Sequence, residues 1–223
     1  MEFESIVRSR YSCRRFLDTP LQKETVERIL ELAQQTPSWC NCQPWHVLLI
    51  EDAVLARFRE AIHALAAAGH PPEPDFDFPR SYEGIYRERR KVCGVQLYRS
   101  LGIPREDKAA AQRQSLENFR FFGAPHLALI TTEEALGVYG AIDCGLYVAN
   151  FLLAAKNFGV DAIAQAALAS YPDLVRKTFG LPQTRKLVCG ISFGLADSSH
   201  PIHGYRTQRA SIAEAVTRVT KLA

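Results

Sequence analysis

The stretch from Val138 to Val160 constrains the fold more than any other part of the chain. It is the most apolar run, interrupted by Asp143, Asn150, Lys156 and Asn157. Those interruptions leave it short of a transmembrane segment, so no membrane partner is expected. It reads instead as a helix buried on nearly all sides, in a core or in an interface between two copies of the chain. Hydrophobic residues fill 47% of the 223 positions and charged residues 23%, the balance of a globular protein that can bury a large core without staples. The six cysteines therefore read as free thiols. No apolar leader stands in MEFESIVRSR, so a reducing, cytoplasmic setting is expected. A net charge of +3 is too small to argue for nucleic acid.

Elements can be placed around that helix. Residues 2 to 10 read as a short helix, and 22 to 35 as a second, with Val26, Ile29, Leu30 and Ala33 at helical spacing. Pro37 ends the second helix, because a residue before proline is pushed out of the helical region. His46 to Ile50 reads as a buried strand and 53 to 68 as a helix. His70 to Pro79 holds too many prolines for a helix and is read as an extended surface excursion. Two charged helices are expected over 83–101 and 105–122. Strands follow at His126–Thr132, Val160–Ala166 and Leu187–Leu195, with a helix started by Pro172 and a short helix or strand near the end. No repeat or low-complexity segment divides the chain. Residues 1–223 read as one α+β domain, a small sheet wrapped by helices, with a helical and loop excursion at about 69–111.

Three clusters could carry chemistry. In Arg10-Tyr11-Ser12-Cys13-Arg14 an extended backbone would put Arg10, Ser12 and Arg14 on one side, where two guanidiniums and a hydroxyl can hold a phosphate. From spacing alone, a solvated basic face next to a helix end is the better reading, since short arginine-rich runs are common. The loop Pro37-Ser38-Trp39-Cys40-Asn41-Cys42-Gln43-Pro44-Trp45 offers small polar groups framed by rigid residues. It can serve a planar polar ligand or be a stiff turn with Trp45 in the core. Cys40 and Cys42 lack further ligands for a metal, and none is expected. The third cluster, Gly204 to Arg209, is basic and by itself reads as solvated. The chain has no G-x-G-x-x-G, no phosphate-binding P-loop and no G-x-S-x-G elbow. Gly190-x-x-x-Gly194 lies in a strand pattern and reads as a packing feature.

Together the three clusters resemble the nitroreductase superfamily. The R-x-S-x-R-x-F theme stands at Arg10 to Phe16 and P-S-x-x-N-x-Q-P-W at Pro37 to Trp45. Arg209 to Val216 matches the family's basic residue and tail, with Ser211 in place of the usual proline. The resemblance implies an α+β fold forming an intertwined homodimer, with one FMN per subunit at the interface. It implies that NADH or NADPH docks transiently as donor, and that nitroaromatics, quinones or similar small acceptors are reduced by a ping-pong route. Carried over, Arg10, Tyr11, Ser12 and Arg14 would hold the phosphate and pyrimidine edge, with Arg209 and Arg206 completing the phosphate site. Pro37, Ser38, Trp39 and Asn41 would come from the partner subunit. Gln165, Ala166 and Ala167 would present backbone N–H groups to the flavin, and Asn118 and Arg120 would touch its ring. No protein acid, base or nucleophile is implied. The same scaffold can serve reductive dehalogenation, enone reduction or flavin fragmentation, and a non-enzymatic flavin binder is the alternative from another class. The 69–111 excursion, with Phe76, Phe78, Tyr82, Tyr86 and Tyr98, would shape the acceptor pocket.

Overall fold

The computed structural model describes residues 2–221. Four antiparallel strands form one sheet in the order β1-β2-β4-β3: β1 His46–Glu51, β2 His126–Glu133, β3 Asp161–Gln165 and β4 Arg185–Gly194. Helices α1 (Phe3–Ser9), α2 (Lys23–Gln34), α3 (Asp52–Ala67), α4 (Gly84–Ser100), α5 (Lys108–Leu116), α6 (Gly137–Asn157) and α7 (Pro172–Phe179) surround it, with a short α8 (Ile212–Ala215) in the tail.

Strand β2 runs between two other strands and is buried from His126 to Thr132. Its side chains alternate between faces. Leu127 and Leu129 enter a core with Leu55, Phe58 and Ile62 of α3, and Ala128 and Ile130 enter a second core with Tyr147 and Phe151 of α6 and Ile29 of α2. Both faces are thus covered, which is why the strand reads as a continuous apolar run. Between Ile130 and Thr131 the pairing with β4 shifts, because Ile130 faces Cys189 while Thr131 faces Leu187. The extra residue, Val188, flips the side-chain alternation. Leu187 therefore points to the α3 core, whereas Ile191 and Phe193 point to the α6 core. Gly190 and Gly194 are packing features as expected: a Cβ at Gly190 would lie 2.5 Å from Leu168 Cδ1, and one at Gly194 2.7 Å from Pro125 Cδ.

Three expectations need correction. His46–Ile50 is an edge strand in which only Ile50 is buried; an apolar run does not reveal whether a strand is covered on both sides. The 105–122 helix is shorter. α5 stops at Leu116, and a tight 3-10 turn over Glu117–Gly123 places Phe121 (φ 57°) and Phe122 (φ 53°) in left-handed backbone. Both rings enter the core, and that packing sustains the strain. Residues Glu134–Asn157 are long and apolar enough to cross a membrane by length and composition, despite the interruptions. In the single chain α6 is buried on one side, which leaves the reading of a helix in a core or in an interface between two copies open. Cys144, Tyr147 and Phe151 face the core and Asp143 is buried under the Trp39 loop, while Val138, Tyr139, Ile142 and Leu146 are exposed in the single chain.

The His70–Pro79 excursion carries no helix or strand and is clamped to the body. Both Asp75 carboxylate oxygens accept from Arg176 Nη1 (2.9 and 2.8 Å), and Oδ2 also accepts from the Leu187 N–H at 2.8 Å. Asp173 and the Arg185 carbonyl complete the guanidinium's bonds. The Asp75 and Arg176 side chains are almost fully buried.

Candidate active site

The segment after α1 is extended, as the alternation of Arg10, Ser12 and Arg14 requires. It runs beside β3, with a parallel bridge between Ser12 and Ala162, and the Cys13 N–H donates to the Ala162 carbonyl at 3.2 Å. Cys13 turns inward and is fully buried, and burial pushes its thiol up to about 12. Arg10, Ser12 and Arg14 turn outward and line a cavity of about 720 Å³. The C-terminal tail closes that cavity. His203 lies 3.1 Å from the Arg15 carbonyl and edge-on to Tyr11, which fixes the tail against the segment.

Five arginines line the cavity, Arg8, Arg10, Arg14, Arg206 and Arg209, and among the described residues no carboxylate does. Arg14 Nη1 reaches the Ser12 carbonyl and the Tyr205 hydroxyl, each at 3.3 Å. Arg206 lies 4.0 Å over the Tyr11 ring, and its Nη1 donates to the carbonyls of His203 (2.7 Å) and Tyr205 (2.8 Å). Arg209 is folded onto Thr207, with Nη1 2.9 Å from the hydroxyl. Burial first, and then the charge of Arg209, lower the Arg10 pKa from its ordinary value. Arg8 is paired with Glu4 at 2.7 Å, but among the described residues Arg10, Arg14, Arg206 and Arg209 take part in no salt bridge, so like charges are brought together there. A phosphate dianion fits that need, because charge-assisted bonds to several guanidiniums would offset both desolvation and repulsion.

The sequence clusters 10–14 and 206–209 therefore meet, and Arg206 stands in the cavity wall. Pro37, Ser38, Trp39 and Asn41 do not line this cavity. Their loop lies on the exposed side of α6, where the buried Asp143 carboxylate accepts from the Trp39 N–H at 3.1 Å and the Trp39 ring meets Tyr139 edge-on at 4.7 Å. Left-handed backbone at Cys40 (φ 51°), Asn41 (φ 54°) and Gln43 (φ 46°) shapes the loop, and the Gln43 N–H donates to Ser38 Oγ at 2.9 Å. Gln165 is buried at the end of β3, where its amide donates to the Asn118 carbonyl (2.9 Å) and its oxygen accepts from Ser192 Oγ. This joins Asn118 to the start of the 3-10 turn Ala166–Ser170, so only backbone groups of residues 165–167 remain for a ligand. Ala164 and Ala166 are exposed with minimal side chains, leaving the backbone approachable. Arg120 is exposed and lies 3.8 Å from Glu117.

Three contributors escaped the sequence reading. Tyr205 lines the cavity and touches Arg14, Cys93 of α4 forms part of the far wall, and Asp143 holds the Trp39 loop. Asp143 did leave a signal, as a carboxylate inside the most apolar run. Ser211, where the resembling family has proline, caps α8: its hydroxyl accepts from the Glu214 N–H while Glu214 reaches back to Ser211.

An arginine-lined anion cavity beside a four-stranded antiparallel sheet with helices on both faces defines a class, and the comparisons agree with it. The chain belongs to the nitroreductase family, whose model matches residues 7–195. It is similar to the FMN-dependent nitroreductase NfnB from Mycobacterium smegmatis, solved in complex with NADPH, with 35% identity, 98% of this chain and 97% of that one covered, and a TM-score of 0.91. An FMN- and NADPH-dependent nitroreductase NfnB from a Sphingopyxis strain superposes with a TM-score of 0.94 at 29% identity over 99% and 100% of the two chains. A 4-nitrobenzoate reductase from Nocardioides is 33% identical over 96% of this chain and 89% of that protein.

Proposed function

We propose that the protein is an FMN-dependent oxidoreductase that uses NADH or NADPH to reduce nitroaromatic, quinone or similar small acceptors, acting in the cytoplasm as a homodimer. The observation that carries this reading is the cavity with five arginines and, among the described residues, no carboxylate in its lining, formed by residues from opposite ends of the chain. Arg10, Ser12, Arg206 and Arg209 would hold the phosphate, and Arg14 would sit toward the pyrimidine edge. When bound, FMN supplies the redox centre that takes a hydride from the nicotinamide and passes reducing equivalents to the acceptor. Arg14 places a fixed positive charge where negative charge collects on reduction, at no cost in reorganisation. Asn118 and the backbone of Gln165 to Ala167 would position the ring from the β3 side.

Exposed apolar surface supports the homodimer. Val138, Tyr139, Ile142 and Leu146 line the outer side of α6, and α1, packed against α6, exposes Phe3 and Val7. Covering this face with a second copy buries it. The Trp39 loop is tied to the same face by Asp143, so in such a dimer Pro37, Ser38, Trp39 and Asn41 would reach the partner's flavin. We read residues 1–223 as one FMN-binding unit, with the 69–111 excursion walling the acceptor pocket. Tyr82, Ile85 and Tyr86 are exposed there, on and just before α4.

The test is direct. Purified protein should be yellow with stoichiometric FMN, migrate as a dimer, bleach anaerobically on adding NADH or NADPH, and regain its colour on adding a nitroarene. Colourless protein that FMN does not reconstitute refutes the reading.

A further inference from the structure

Behind Arg14, on the side away from the flavin cavity, lies a second cavity of about 300 Å³. The two share Arg14 and Ile202 as a common wall. Arg15, Arg113, Gln114 and His200 face the second cavity, and Glu117 is the one carboxylate among its described lining residues. Glu117 is turned toward Arg120. Among the described residues, neither Arg15 nor Arg113 takes part in a salt bridge. The nearby Asp197 feels the charge of Arg15, but its Oδ1 is taken up by Ser199, at 2.6 Å from the hydroxyl. His200 accepts the Ile202 N–H on Nδ1 at 3.3 Å, so its proton sits on Nε2, which is left as a donor. Burial and the neighbouring Arg15 lower its pKa, which favours that neutral donor form.

Three guanidiniums, an amide and an imidazole N–H around a mostly polar space make a site for a compact anion. The space exceeds a simple ion and accommodates a phosphate monoester with part of its sugar. Its position matters equally. A nicotinamide lying on the flavin must leave its adenosine half on neighbouring protein surface, and this cavity adjoins the flavin cavity across one arginine. NADPH differs from NADH only by a 2′-phosphate, a dianionic monoester. We infer that the cavity formed by Arg15, Arg113, Gln114 and His200 receives the 2′-phosphate of NADPH and makes the protein prefer NADPH to NADH. This rests on the NAD(P)H-dependent reading above and adds the residues that choose between the two donors.

The experiment uses FMN-loaded wild type, Arg113→Ala and Arg15→Ala, titrated calorimetrically with adenosine 2′,5′-bisphosphate and with 5′-AMP. Steady-state kinetics with NADPH and NADH run alongside. Hydrogen bonds between charged partners differ from none by about tenfold to a hundredfold in affinity. Wild type should bind the bisphosphate tighter than 5′-AMP by about that factor. Each variant should lose most of that margin and raise KM for NADPH, with kcat, KM for NADH, flavin content and melting temperature unchanged. Equal binding of the two probes by wild type, or a margin intact in both variants, overturns the inference. So does a result in which the variants raise KM for 4-nitrobenzoate but not nitrobenzene while NADPH is unaffected, because the cavity would then read an acceptor carboxylate. Failure of the broader reading looks different: the wild type would hold no flavin at all.

Discussion

Replacing Arg10 with alanine separates affinity for the flavin phosphate from stability of the chain. The Arg10 guanidinium is half-buried beside Arg209, and both circumstances lower its pKa. Folding therefore disfavours its charged form, and that cost stands at neutral pH because the group stays protonated. The site keeps the charge because a bound anion offsets the cost. Arg10→Ala removes one charged donor, worth about 1.5–3 kcal/mol in a charge-assisted bond, or roughly tenfold to a hundredfold in Kd. In the empty protein the same change relieves a like-charge contact and frees a half-buried ion. Titrating apoprotein with FMN, followed by flavin fluorescence quenching, should show the weakened Kd. Thermal melts without FMN should show a variant at least as stable as wild type, and the gain in Tm on adding FMN should shrink with the lost affinity. Salt should weaken wild-type binding more than that of the variant. An Arg10→Ala protein that binds FMN with wild-type affinity, or whose apoprotein melts far lower, would refute the reasoning.

Asp75→Ala should destabilise the chain. Removing one partner of a buried, hydrogen-bonded ion pair costs about 3–5 kcal/mol. Arg176 keeps Asp173, which puts the expectation near the lower end, a Tm loss of roughly 6–12 °C for a chain of this size. A loss under about 2 °C would show that Asp75 does not clamp the excursion. Asp75→Asn, which keeps an acceptor for the Leu187 N–H, should fall between. The thiols give a pH prediction: burial pushes Cys13 and Cys144 from 9.0 up to about 12. Folded pKa values above the unfolded ones contribute stability that is full below about pH 9 and lost as pH rises toward 12. Urea unfolding at pH 7, 9 and 10.5 should show that decline, steeper than in the Cys13→Ala, Cys144→Ala double variant. Equal slopes would show that these thiols are not its source.

The sequence and the structure part company where tertiary contacts override a local pattern. Helix periodicity and proline stops placed α2, α3 and α7 well, because each buries one stripe of its surface. Arg10 to Arg14 and Arg206 to Arg209 each looked like solvated charge, since no local rule joins segments almost two hundred residues apart. The join is made by the extended segment pairing with β3 and by His203 fastening the tail to the Arg15 carbonyl. The bulge at Val188 left no mark in composition, although it decides which core Ile191 and Phe193 enter. Left-handed backbone at Cys40 and Gln43 was equally invisible, because neither residue type favours it. Asp143 accounts for both kinds of miss. In the sequence it is one polar interruption in an apolar helix. In the structure it is a buried carboxylate whose acceptor holds the Trp39 N–H of a strained loop, on the helix that also exposes Val138, Tyr139, Ile142 and Leu146. A carboxylate in that position would weaken a helix meant only for packing. Its presence makes sense if the outer side of α6 must carry the loop, in a fixed shape, to a second copy of the chain.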